Sequence, residues 1–146
     1  MKEKYIGRKV WEMVNKGFTY IVDKTKTYTI KGVANEGEYP IKFVLADEDG
    51  NEKVVEEYYV LFTPTESVDE EQMIYDYLSI NKAYPSEVYK EDDMIFVSIL
   101  WGDWKHEHLW CDRAMAYIGY DEVNTEVTEE NGSDCYSATH CFMKSE

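Results

Sequence analysis

At 146 residues the chain has the length of one ordinary domain, enough to bury a core without disulfides or an obligatory metal. Fifteen Lys and Arg stand against thirty Asp and Glu, a net charge of −15, which excludes direct binding to nucleic acid or to an anionic membrane. A hydrophobic fraction of 44% and an aromatic fraction of 15% exclude a disordered chain, so one compact domain over residues 1–146 is expected, with "TPTES" at 63–67 as the place for any subdivision.

In chain order, "YIGRKVWEMVNK" at 5–16 sets Ile6, Val10, Met13 and Val14 near one helical stripe and stops at Gly17, which predicts a helix. The competing reading is an SH3-like first strand through "IGRKVWE", because so short a segment fits either period. Next come "FTYIVD", "KTYTIKGV", "PIKFVLA" and "KVVEEYYVLF", β-branched and aromatic runs separated by turn chemistry, which predict an antiparallel β-meander. Asp47, Asp49 and Gly50 open like a calcium loop but lack its further ligands and closing glutamate, so a hairpin turn is expected there.

Ser67 and Glu70 have capping-box spacing, and Met73, Ile74, Tyr77 and Leu78 follow at helical intervals, predicting a helix over 67–82. "MIFVSIL" is apolar on both parities and reads as a central strand buried on both faces. Asp103 is set to cap a helix over 104–118 that Gly119 ends, and Asn131-Gly132 marks a final hairpin. The expected fold class is therefore α+β: an antiparallel β-meander in the N-terminal half, then helix, strand, helix and hairpin.

The start "MKEKYIGRKVWEM" lacks an apolar leader, and the longest apolar run, around "MIFVSILW", is too short to span a bilayer. Three cysteines, an odd number confined to the last third, fit reduced thiols better than a disulfide framework. A soluble cytoplasmic protein is expected.

"WGDWKHEHLWCDRAM" at 101–115 concentrates the chemistry. On a regular helix Trp104, His108, Cys111, Met115 and Ile118 share one stripe, and His106, Trp110, Arg113 and Tyr117 another. Side chains at i and i+2 point roughly 200° apart, so His106 and His108 cannot share a metal. His108 with Cys111 or Asp112 remains, completed by Cys135, His140 or Cys141. Cys135 and Cys141 are about 20 Å apart along a strand, so only one end of it can contribute. The metal candidates are thus His108, Cys111 and Cys141 with zinc as the ion, although core packing is the favoured role and no cofactor is expected.

No second zincin histidine, Cys-x-x-Cys pair, phosphate loop or nucleophile elbow occurs, and an enzyme is not expected. Charge carries the functional signal. Residues 1–42 hold nine basic and five acidic residues (net +4), leaving six against twenty-five (net −19) for 43–146. Clustered carboxylates repel one another, a cost that a cationic partner relieves.

The expectation is a non-catalytic acidic interaction protein, an inhibitor or nucleic-acid mimic for a basic, nucleic-acid-binding protein. Asp47, Asp49, Glu56, Glu57, Glu70, Glu71, Asp92, Asp93, Trp104 and Trp110 are the contact candidates. In size and charge the chain resembles the small acidic inhibitors carried by phages and mobile elements, with no motif behind the likeness. The alternative is a small-molecule or metal-binding module, or a modest hydrolase, built on the His/Cys-containing C-terminal region.

Overall fold

The computed structural model of the chain describes residues 2–16, 19–66, 69–132 and 134–145. Two compact units are present, Met1–Thr63 and Pro64–Glu146.

In the first unit the β-branched and aromatic runs form β1 (Lys9–Lys16), β2 (Thr19–Val22), β3 (Tyr28–Val33), β4 (Lys42–Ala46), β5 (Glu52–Glu56) and β6 (Val60–Phe62). The sheet order is β2-β1-β3-β4-β5, with β6 also paired to β1, all antiparallel. Val10, Ile30, Leu45 and Leu61 are wholly buried, and Phe43 packs edge-on against Tyr5 and Phe62. Between β4 and β5, Asp47 Oδ1 accepts the backbone N–H groups of Asp49 and Asn51, both at 2.9 Å, and Gly50 takes φ +86°. "ADEDGN" is therefore a self-capped hairpin turn. The Asn51 N–H and its neighbours hold the Asp47 carboxyl below its usual range.

The helix expected over 5–16 is a strand. Its supposed stripe is not buried as a stripe, since Ile6 and Val14 are 46% and 44% exposed while Val10 is fully covered. Val10 lies between Tyr28 of β3 and Phe62 of β6, and those distant partners supply the ladder that a short segment of ambiguous period needs. The stop expected at Gly17 and the cap expected at Ser67 fall outside the described residues.

The second unit contains α1 (Glu70–Ile80), β7 (Glu87–Glu91), β8 (Met94–Asp103), α2 (Leu109–Tyr117), β9 (Tyr120–Glu130) and β10 (Cys135–Lys144). Its antiparallel sheet has the order β7-β8-β10-β9. Helix α1 is shorter than expected because Asp69 is its cap, accepting from Glu71 at 3.0 Å and Gln72 at 3.3 Å. Ile74, Tyr77 and Leu78 from α1 and Cys111, Ala114 and Met115 from α2 are buried, as are Ile95, Val97, Ala138 and Phe142 of the central strands. The Tyr77 hydroxyl donates to the Ala114 carbonyl at 2.5 Å, and Trp110 Nε1 donates to the Asn81 carbonyl at 2.7 Å, fastening the helices to each other.

Strand β8 is central in the sheet, but its burial alternates: Ile95, Val97 and Ile99 are covered, whereas Met94, Phe96 and Ser98 are only half-buried. The second of these faces is not the dry interior that its apolar sequence suggests.

The α+β class is corrected by these elements. The chain is mainly β, 47% strand and 22% helix, with two sheets and two short α-helices among the described residues. In place of helix, strand, helix and hairpin, the C-terminal half runs helix, hairpin, helix, hairpin, because "EVYKE" pairs with "MIFVS" across a tight turn at Asp92 and Asp93. Asp92 takes φ +56°, a conformation an aspartate tolerates and a turn of this kind demands. No helix among the described residues is long and apolar enough to cross a membrane.

Candidate functional site

The end of β8 sets the geometry. Asp103 accepts the backbone N–H groups of Lys105 and His106 at 2.7 and 3.1 Å, while Glu107 Oε2 accepts the Asp103 N–H at 2.6 Å. This is a reciprocal capping box, but its glutamate stands four residues on instead of three. The extra residue is accommodated by a π-helical turn, Trp104–His108, in which the Leu109 N–H reaches the Trp104 carbonyl. The stripe expected from a regular helix is broken there: Trp104 is 51% exposed, while His108, Cys111 and Met115 are buried.

Gly102 allows the close fold-back of Glu107. A Cβ at Gly102 would lie 2.6 Å from Glu107 Oε2 and 2.8 Å from the Ile99 Cγ2 methyl. Gly102→Ala should therefore cost about 1–3 kcal/mol in denaturant titration, since Ile99 is packed and cannot retreat. Wild-type stability in that variant would show that the Glu107 contact has slack.

The π turn delivers His108 into the unit's interior, 2% exposed and stacked on the Tyr136 ring at 4.1 Å and 3°. His108 Nε2 lies 2.9 Å from the Tyr136 carbonyl, and its Nδ1 lies 2.8 Å from Nε2 of His140 on β10. A carbonyl only accepts, so Nε2 of His108 carries the hydrogen. With neutral rings, His108 Nδ1 then accepts from His140 Nε2–H, and His140 is left with a lone pair on Nδ1.

That lone pair faces two carboxylates. His140 Nδ1 lies 2.9 Å from Glu122 Oε2 on β9 and 3.5 Å from Asp112 Oδ1 on α2. The ligand atoms of Asp112, Glu122 and His140 all lie within 4.8 Å of one another. Thr125 donates to Glu122 Oε1 at 2.5 Å. Asp112 Oδ1 is buried and accepts no hydrogen bond. Three acceptors thus converge where no protein donor serves them all, and only shared protons or a cation can hold them together.

Burial and the adjoining Glu122 push the Asp112 carboxyl up to about 8. Burial also acts upward on Glu122, but hydrogen bonds from Asp112 and Thr125 outweigh it and hold that carboxyl low. Asp112 is the member of the pair that keeps a proton. Burial lowers the His140 imidazole despite the opposing pull of Glu122.

Of the metal candidates read from the sequence, the structure brings only His108 to this cluster, one hydrogen bond behind the converging atoms. Cys111 is fully buried, with its thiol pushed up by burial. Cys141 follows His140 along the strand and so points to the opposite face, where its Sγ meets Met94 Sδ at 3.4 Å. His106 has an 83% exposed side chain beside Asp103, so the two helix histidines diverge.

Sequence reasoning reached Asp112 and His140 only as auxiliary ligands and missed Glu122. Nothing in "YDEVNTEV" distinguishes Glu122 from its acidic neighbours before the pairing of β9 with β10 is known.

Within the first unit the acidic contact candidates stand apart along one hairpin. Asp47 is occupied by its turn, and Asp49 stands at the opposite end of the β4–β5 hairpin from Glu56 and Glu57. Glu70 binds Lys90 Nζ at 3.4 Å and the Tyr120 hydroxyl at 3.0 Å, and Glu71 accepts the Lys90 N–H. Asp92 and Asp93 are exposed in the turn just beyond Lys90. Trp104 is open to solvent, whereas Trp110 is a packing residue against Asn81 and Tyr117. Comparison of the chain with protein-family models, with curated proteins and with solved structures finds no match.

Proposed function

We propose that the chain is a non-catalytic acidic interaction protein that acts in the cytoplasm by binding the basic surface of another protein, of the kind that otherwise contacts nucleic acid. The observation that carries this reading is β9. It is the last strand of its sheet, and residues 121–130 are exposed without interruption. Those ten residues include Asp121, Glu122, Glu126, Glu129 and Glu130 and no basic residue.

An edge strand offers a row of backbone donors and acceptors to any extended segment, and charge on it selects which segment may approach. A lysine- or arginine-rich strand would pair with the backbone and relieve the repulsion among the carboxylates. The reduced Cys111 and Cys141 fit a cytoplasmic setting.

Glu70 and Glu71 hold Lys90 and Tyr120, so reversing them would disturb the unit itself. Glu126, Glu129 and Glu130 are better probes. Affinity purification from the native host across a salt series should yield a basic partner. Its association should slow tenfold or more when all three are reversed to lysine, and salt should shrink the difference. A partner that binds the triple reversal normally and is lost with Trp104→Ala would overturn the acidic reading in favour of an aromatic contact.

A further inference from the structure

We infer that Asp112, Glu122 and His140 form a binding site for one divalent transition-metal ion of the zinc class, with His108 as the positioning residue behind it. The three ligands come from α2, β9 and β10, so their meeting is a product of the fold and not of a local acidic run. Donor atoms arranged tetrahedrally around an ion at about 2.0–2.1 Å stand about 3.4 Å apart. The observed 2.9 Å and 3.5 Å separations from His140 Nδ1 bracket that spacing.

Two further observations point to a cation. His140 is 97% buried at its side chain, and the hydrogen-bond chain through His108 to the Tyr136 carbonyl turns its lone pair toward the carboxylates. Metal-bound imidazoles characteristically donate their other N–H to such an outer partner. Independently, Asp112 Oδ1 is a buried acceptor that no protein group satisfies. One imidazole and two carboxylates suit zinc, and the set has no thiolate, which separates it from a Cys-based structural site. Three protein ligands leave a fourth position for water, and the partial exposure of Asp112 and Glu122, 31% and 28% at the side chain, gives access to it.

The test uses the full chain, stripped with chelator and free of any affinity tag, titrated with Zn²⁺ and, separately, with Co²⁺. One ion per chain should bind, with a rise in melting temperature. The cobalt form should show visible bands without the near-ultraviolet absorption of a thiolate ligand. Asp112→Asn, Glu122→Gln and His140→Gln should each weaken binding tenfold or more while circular dichroism stays that of the wild type.

His108→Phe should weaken binding 10–100-fold, the usual cost of losing an outer-shell partner, and His108→Gln, which can still accept from His140, should recover part of it. Cys111→Ser, Cys141→Ser and His106→Gln should bind as the wild type does. No binding at micromolar zinc, binding that survives Asp112→Asn combined with Glu122→Gln, or binding abolished by Cys141→Ser would each overturn the assignment.

Discussion

Asp112→Asn is expected to make the metal-free protein more stable than the wild type at pH 8 and to leave the two much closer at pH 5. The Asp112 carboxyl, pushed up to about 8 in the folded chain, returns to near 3.8 on unfolding. Between those values the folded chain holds a proton that the unfolded chain has lost. Stability from this group is therefore complete below about pH 4 and declines as pH rises toward 8. A whole proton corresponds to roughly 1.4 kcal/mol per pH unit. Asp112 is 31% exposed at its side chain and shares its proton with Glu122, so a fraction of that slope is expected.

The other groups facing it act differently. Glu122 is held low and contributes stability that is lost only in acid, and His140, lowered by burial, adds stability as pH rises through its range. Both remain in the variant, so comparing the two proteins reports the Asp112–Glu122 pair as it titrates together. Asparagine supplies a permanent donor to the acceptors around it and removes the titration. Urea unfolding at pH 5, 6.5 and 8 with chelator present is the measurement. Parallel curves for the two proteins would mean that Asp112 is ionised in the folded state and that the carboxylates are held apart by other means.

Phe142→Ala should lower stability by about 3–5 kcal/mol, a large share of what a domain of this size possesses. Phe142 is wholly buried in central β10, paired with Ile95 on β8 and Glu122 on β9. The loss should be accompanied by weaker zinc binding than in the wild type, because β10 carries His140 two residues away and in ring contact at 6.3 Å. Guanidinium denaturation with and without zinc measures both effects. A loss under about 1 kcal/mol would show that the face of the sheet beneath α1 and α2 is not the packed core described above.

Features decided within four or five residues were legible in the sequence. The Asp47–Gly50 turn, the Asp103 cap, the positive φ of Gly119 and the Asn131-Gly132 hairpin all follow from local backbone demands that few residue types satisfy. The same local chemistry misled where it was incomplete: the 5–16 segment has a helical stripe, yet besides its hairpin neighbour β2 its strand partners lie about twenty and fifty residues away. The π turn at 104–108 depended on Glu107 folding back over Gly102, a contact that shifts the helix by one residue and turns Trp104 outward.

The convergence of Asp112, Glu122 and His140 was decided by tertiary structure alone. Side chains alternate along paired strands, so the register between β9 and β10 determines that His140 faces α2 while Cys141 faces away. A one-residue slip would exchange them and place a thiol among the carboxylates. Composition and spacing name which residues are able to bind a metal or a partner. Which of them meet is set by pairings between segments far apart in the chain, whose energies come from burying Phe142, Val97 and Met115 rather than from the site residues themselves.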